Sequence, residues 1–241
     1  IMAGSVGNIT TDIIKSGLVF NMDAANRAST IPNSATTKAF NTIDTTIVGT
    51  FNTSGIFDSS TITPSFAFDA TGDDRINIGN PTKLRITTAF SVSAWIKQTT
   101  QQDSVVISKD AFSTNRCWTL WSNGYQSNNF VNFTIFDSSN TFFTVLSDIR
   151  VDDSSWHQLT AVYEPSIAIR IYIDGSLNNS NTTSIPSSIA NKTVDIIIGE
   201  SNTSGYYEFP GNIGPIQIYN RALSANEVLH NYNTLKLRFG L

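Results

Sequence analysis

Two short clusters in this chain combine aromatic rings with amide and hydroxyl side chains, a mixture suited to holding a sugar: Trp121-Ser122-Asn123-Gly124-Tyr125-Gln126 and Ser204-Gly205-Tyr206-Tyr207-Glu208. Rings stack on the apolar C–H face of a saccharide while amides, carboxylates and backbone groups bond its hydroxyls, and such sites form where loops gather at sheet ends. Trp121 falls where a Cys117–Leu120 strand gives way to the Ser122-Asn123-Gly124 turn. The spacing therefore predicts that the Trp121 indole, the Tyr125 phenol and the Asn123 amide converge on one ring, with Tyr206 and Tyr207 as a second set. Burial between loops, or contact with another subunit, is the competing account of these aromatic residues.

A second constellation is acidic. Asp69, Asp73 and Asp74 share the turn-rich stretch Asp69-Ala70-Thr71-Gly72-Asp73-Asp74, and hard oxygen donors on such a loop suit calcium. The same residues also suit side-chain-to-backbone turn bonds, and both readings stand. His157 and His230 have no Ser or Cys nucleophile signature beside them and are assigned to packing or the surface. Cys117, the only cysteine, is expected to be a small buried hydrophobe beside Trp118.

The elements that must position these residues are strands. In Ser155–Gly175, His157, Leu159, Ala161 and Tyr163 alternate with Trp156, Gln158, Thr160 and Val162, and Ile169, Ile171 and Ile173 alternate with Arg170, Tyr172 and Asp174. Period two predicts a hairpin turning at Pro165-Ser166, and Asp174-Gly175 supplies the positive-φ pair for a second reversal at Ser176. Further strands are expected at Leu18–Met22, Ile43–Val48, Gly55–Phe57, Phe66–Phe68, Arg75–Ile78, Ala89–Lys97, Val105–Ser108, Trp118–Trp121, Phe130–Phe136, Phe142–Leu146, Val194–Ile198 and Ile213–Tyr219. Phe90, Val92, Ala94 and Ile96 share one face, with Trp95 on the other; Trp95, Trp118 and Trp156 are expected in the core. One helix is predicted. Ser224-Ala225-Asn226-Glu227 fits a capping box, and Val228, Leu229, Tyr232 and Leu235 then lie near one face. Strands at this spacing without intervening helices imply antiparallel sheets packed face to face. Residues 1–16 are expected to form an arm and 17–241 a single domain.

Composition narrows the partners. Of 241 residues only 14% are charged, the net charge is −4, and there is no Lys/Arg run, so a phosphate backbone is not an expected partner. No apolar run approaches the roughly 18 residues of a membrane span, and IMAGSVGNIT lacks the basic and apolar regions of a signal peptide. A single cysteine excludes an intrachain disulfide framework.

Six pieces in order carry a resemblance: SGLVFNMDA, FAFDATGDDRINIG, FSVSAWIK, SWHQLTAVYEPSIAIRIYIDG, IIIGE and GNIGPIQIYNRALSANEV. Together they resemble the laminin-G-like branch of the concanavalin A-like lectin/glucanase superfamily, which implies an all-β jelly-roll sandwich. The ending NRALSANEVLHNYNTLKLRFGL is similar to modules of phage tail, fibre and capsid-associated proteins, which implies a virion-surface or extracellular location. The superfamily's glucanases carry E-x-D-x-E on a strand, which puts nucleophile, orienting Asp and general acid on one face. Here Glu164, Glu200, Glu208 and Glu227 each lack a carboxylate two residues away, so hydrolysis by that route is not expected. The resemblance also implies a structural calcium between Asp23 and an acid of the closing strand, but that closing position reads Gly214-Pro215.

The expectation is a non-catalytic module that binds a glycan or surface polysaccharide and needs no cofactor beyond an optional structural calcium. The alternative is a virion decoration or fibre protein contacting other virion subunits.

Overall fold

The computed structural model describes residues 12–30, 37–53, 56–58, 63–70, 73–113, 115–124, 129–201 and 207–241. In chain order the strands are β1 (Leu18–Met22), β2 (Lys38–Phe40), β3 (Val48–Phe51), β4 (Phe57–Asp58), β5 (Ser65–Phe68), β6 (Ile76–Gly79), β7 (Phe90–Gln98) and β8 (Ser104–Asp110). They continue as β9 (Arg116–Asn123), β10 (Asn132–Phe136), β11 (Phe142–Leu146), β12 (His157–Glu164), β13 (Ala168–Ile173), β14 (Ser176–Asn181), β15 (Ile196–Ile198) and β16 (Gly211–Tyr219). One α-helix, α1 (Ala225–Leu235), and a 3-10 turn over Lys236–Phe239 end the chain.

Two eight-stranded sheets form a β-sandwich. The first runs β14-β13-β12-β7-β16-β5-β4 with β1 also paired to β16, and the second runs β11-β10-β9-β8-β15-β6-β3-β2. Every pairing between described strands is antiparallel.

Alternation decides what each strand buries. Phe90, Val92, Ala94 and Ile96 of β7, Leu159, Ala161 and Tyr163 of β12, and Ile169, Ile171 and Ile173 of β13 all join the core between the sheets. The second reversal forms as the residue types require, with Asp174 at φ 50° and Gly175 at φ 79°, a pairing whose twist matches that of the flanking strands. The expected Ile43–Val48 strand does not form. Asp44 instead makes a turn, its Oδ1 accepting from the Thr46 amide at 3.1 Å while its carbonyl takes the Ile47 amide at 3.0 Å, and β2 and β3 pair across it.

The outer face of the first sheet is covered by the C-terminal segment. Ser224 caps α1 and Glu227 closes the capping box. Val228 joins Leu18, Val162, Tyr172, Tyr219 and Leu223 in a second, smaller core, with Ile13 and Ile14 packed on it. Thus the end of the expected arm packs against the sandwich; the Ile14 amide donates to Asn231 Oδ1 at 2.8 Å. Leu229, expected on the buried face of α1, is 43% exposed because Asn231 takes that place, bonding the Tyr219 hydroxyl at 3.0 Å.

The tryptophans divide. Trp118 lies in the inter-sheet core. Trp95 is fully buried on the opposite face, stacked on Phe239 at 4.1 Å and on Tyr232 at 5.6 Å. Trp156 departs from expectation: it precedes β12 and is half-buried, touching Phe239 at 4.7 Å between centroids. No helix among the described residues is long and apolar enough to cross a membrane.

Candidate functional site

The outward face of the second sheet carries a groove of about 440 Å³ over β9, β10 and β11, within the range of small-ligand sites. Strand alternation builds its floor. Phe133 and Ile135 of β10 point into the core, so Asn132, Thr134 and Phe136 face out. Register then sets the neighbours: Trp121 opposes Asn132, Thr119 opposes Thr134, Thr134 opposes Thr144, and Phe136 opposes Phe142. Phe112 and Tyr207 close one side.

The polar row is connected. Asn132 Oδ1 accepts from the Thr134 hydroxyl at 2.7 Å and the Thr144 hydroxyl at 2.9 Å. Arg116 is held by Asp110, with Nε 3.0 Å from Oδ1 and Nη2 2.7 Å from Oδ2, and Thr119 donates to the same Oδ2 at 3.2 Å. The Arg116 guanidinium also lies over the Phe136 ring at 4.1 Å, so it stacks as well as pairs. Phe142 is 65% exposed at the rim. None of the described lining residues is a carboxylate.

The structure treats the expected sugar-binding residues differently from one another. Trp121 and Tyr207 come together, rings edge-on with centroids 4.9 Å apart, and both line the groove. Trp121 is not on a turn, however. Strand β9 continues to Asn123, and Trp121 is 5% exposed, a groove wall under Tyr207 rather than a projecting ring. Asn123 is fully buried and does not line the groove; its Nδ2 approaches Asp152 Oδ2 at 3.4 Å. Tyr125 and Tyr206 lie outside the described residues. Sequence reasoning missed Arg116, Asn132, Thr134, Phe136, Phe142 and Thr144. The outward alternation of the last five, in β10 and β11, was a usable signal, but the register joining them to Trp121 and Arg116 was not.

The four expected calcium ligands do not form one set. Asp23 makes a bidentate pair with Arg238, at 2.7 and 2.9 Å. Asp74 accepts from the Thr53 hydroxyl at 2.5 Å and from the Asp69 amide at 3.2 Å, which is the turn-bond arrangement. Asp73 instead joins Glu200 and Glu208, with carboxylate oxygens within 4.8 Å of one another. The Arg75 guanidinium bridges Asp73 at 2.7 Å and Glu200 at 2.9 Å. Arg75 thus offsets one of three negative charges in this cluster, while Asp23, where the resemblance placed the family's calcium, is taken by Arg238 and faces no acid at Gly214-Pro215.

The remaining candidates are structural. Cys117 is buried, accepts from the Lys192 amide at 3.3 Å, and burial pushes its thiol up. His157 sits between Asp174 at 2.8 Å and Asp153 at 3.2 Å. His230 Nε2 lies 2.9 Å from the Asp12 carbonyl.

A two-sheet antiparallel sandwich of this topology defines a concanavalin A-like fold. The chain belongs to the laminin G-type family of the concanavalin A-like lectin/glucanases superfamily, matched over residues 70–229. No curated protein matches significantly. The binding domain of Paraclostridial Mosquitocidal Protein 1 superposes with a TM-score of 0.64 at 13% identity, over 90% of this chain and 52% of that one. The receptor binding domain of botulinum neurotoxin D gives 0.65 at 15% identity over 90% and 52%, and the binding domain of botulinum neurotoxin serotype G gives 0.61 at 16% over 89% and 50%. The chain thus spans about half the length of these relatives, and at such identity the likeness is one of fold. The phage-virion setting draws no support from them.

Proposed function

We propose that this domain is a non-catalytic recognition module that binds a glycan at an extracellular surface through the groove over β9, β10 and β11. The observation that carries the reading is an exposed aromatic rim, Phe142, beside a row of amide and hydroxyl groups, Asn132, Thr134 and Thr144, in a groove without a carboxylate among its described lining residues. Rings for C–H faces and dipoles for hydroxyls are what saccharide binding uses, and glycoside hydrolysis by the usual routes needs a pair of carboxylates. The structural relatives, which are named as binding and receptor binding domains, support a binding role. No metal is required by this reading.

A glycan array probed with the purified domain, followed by titration of the hits against Phe142→Ala, tests it. Phe142 is exposed, so the variant keeps the fold, and loss of the rim ring weakens binding about tenfold or more, since aromatic anchors dominate small binding surfaces. An array without hits would favour the alternative of a structural protein contacting neighbouring subunits.

A further inference from the structure

We infer that the groove selects uncharged saccharides and rejects sugars bearing a carboxylate or sulfate, an inference that rests on the glycan-binding reading above. Arg116 is the one charged side chain among the described lining residues, and it is already engaged. Two of its guanidinium nitrogens pair with Asp110, at 3.0 and 2.7 Å, and its face covers Phe136 at 4.1 Å. Asp110 is 2% exposed. Asp110 already neutralises the guanidinium, so an anionic sugar reaching its remaining N–H groups would compete with a buried carboxylate for one cation and bring a second negative charge beside it. With Asp110 paired, the site has no net charge to attract an anion.

The rest of the groove suits a neutral ring. The Thr134 and Thr144 hydroxyls both donate to Asn132 Oδ1, and Thr134 also to Thr144, leaving lone pairs on each as acceptors. The Asn132 Nδ2 has no partner among the described residues and supplies a donor. An acceptor row with one amide donor matches sugar hydroxyls, which donate and accept, and does not match a carboxylate, which only accepts. Phe142 lies opposite Phe136 in the register, next to this row, so one ring can stack on the C–H face while its edge meets Asn132 and Thr144.

The test is an array carrying neutral oligosaccharides alongside sialylated, uronic acid and sulfated ones, with hits titrated against wild type, Phe142→Ala and Asn132→Ala at low and high sodium chloride. Far-ultraviolet circular dichroism and melting curves check that both variants fold. Expected are neutral hits whose affinity changes less than about twofold with salt, because no ion pair forms with the ligand, and falls about tenfold or more in Phe142→Ala. Anionic hits that weaken with salt and are lost in Phe142→Ala would overturn the charge selection while leaving the groove reading intact. Neutral hits that neither variant weakens would overturn the groove as the site and this inference with it, and so would an array without hits.

Discussion

His157 shows how one residue's neighbours convert burial into pH dependence. Burial by itself lowers the affinity of an imidazole for its proton, but the Asp174 and Asp153 carboxylates outweigh it and the net shift is upward. A group whose pKa is raised on folding contributes stability that is fully present below its unfolded value, near 6.5, and lost as pH rises through the higher folded value. The urea midpoint is therefore expected to fall between about pH 6 and pH 8 in the wild type. The fall should be smaller in His157→Asn. An equal slope in both proteins would show that another group is responsible. The alternation around His157 was legible in the sequence, as was its place on a hairpin strand. Its ion pair with Asp174 follows from the reversal at Asp174-Gly175, and that reversal carries Asp174 back beside the start of β12.

At the scale of elements, the C-terminal segment is the decisive cover. Phe239, 7% exposed, stacks on Trp95 and touches Trp156, and Arg238 ties the same turn to Asp23 and to the Pro64 carbonyl at 3.0 Å. Gly214 makes room for it: a Cβ there would lie 3.0 Å from Trp95 and 3.1 Å from Phe239. The Gly214-Pro215 pair that stands in place of an acid in the closing strand thus has a packing role. Phe239→Ala is expected to cost about 3–5 kcal/mol, as for other large buried rings, and to shift tryptophan emission to the red as Trp95 meets water. An unchanged midpoint and spectrum would refute the role assigned to Phe239. The capping box made the start of α1 readable at Ser224, whereas nothing local distinguishes Phe239 as a plug. Its partners Trp95 and Trp156 lie far away in sequence and are adjacent only because β7 and β12 pair.

At the scale of the whole molecule, charge pairing joins segments far apart in sequence. Asp73 and Glu200 share Arg75, and the Asp73 amide donates to Glu208 Oε1 at 2.9 Å. A ligand that binds only the folded state stabilises by mass action; with Arg75 in place, chelator and calcium are each expected to move the melting temperature by less than about 2 °C. A drop of more than about 5 °C on chelation, cancelled in Asp73→Asn, would overturn this. What the sequence by itself determined was the two-sheet sandwich, the inward and outward faces of its main strands, the reversal at Asp174-Gly175 and the capped start of α1. Each follows from sterics and hydrophobic periodicity within a few residues. Only the tertiary structure decided that Trp121 is a groove wall under Tyr207, that Asn132, Thr134 and Thr144 form its polar row, that Asn123 is buried, and that Asp73 belongs with Glu200 and Glu208. Those outcomes depend on strand register and on contacts between residues up to 135 positions apart, which hydrophobic packing of the two sheets selects and no local pattern encodes.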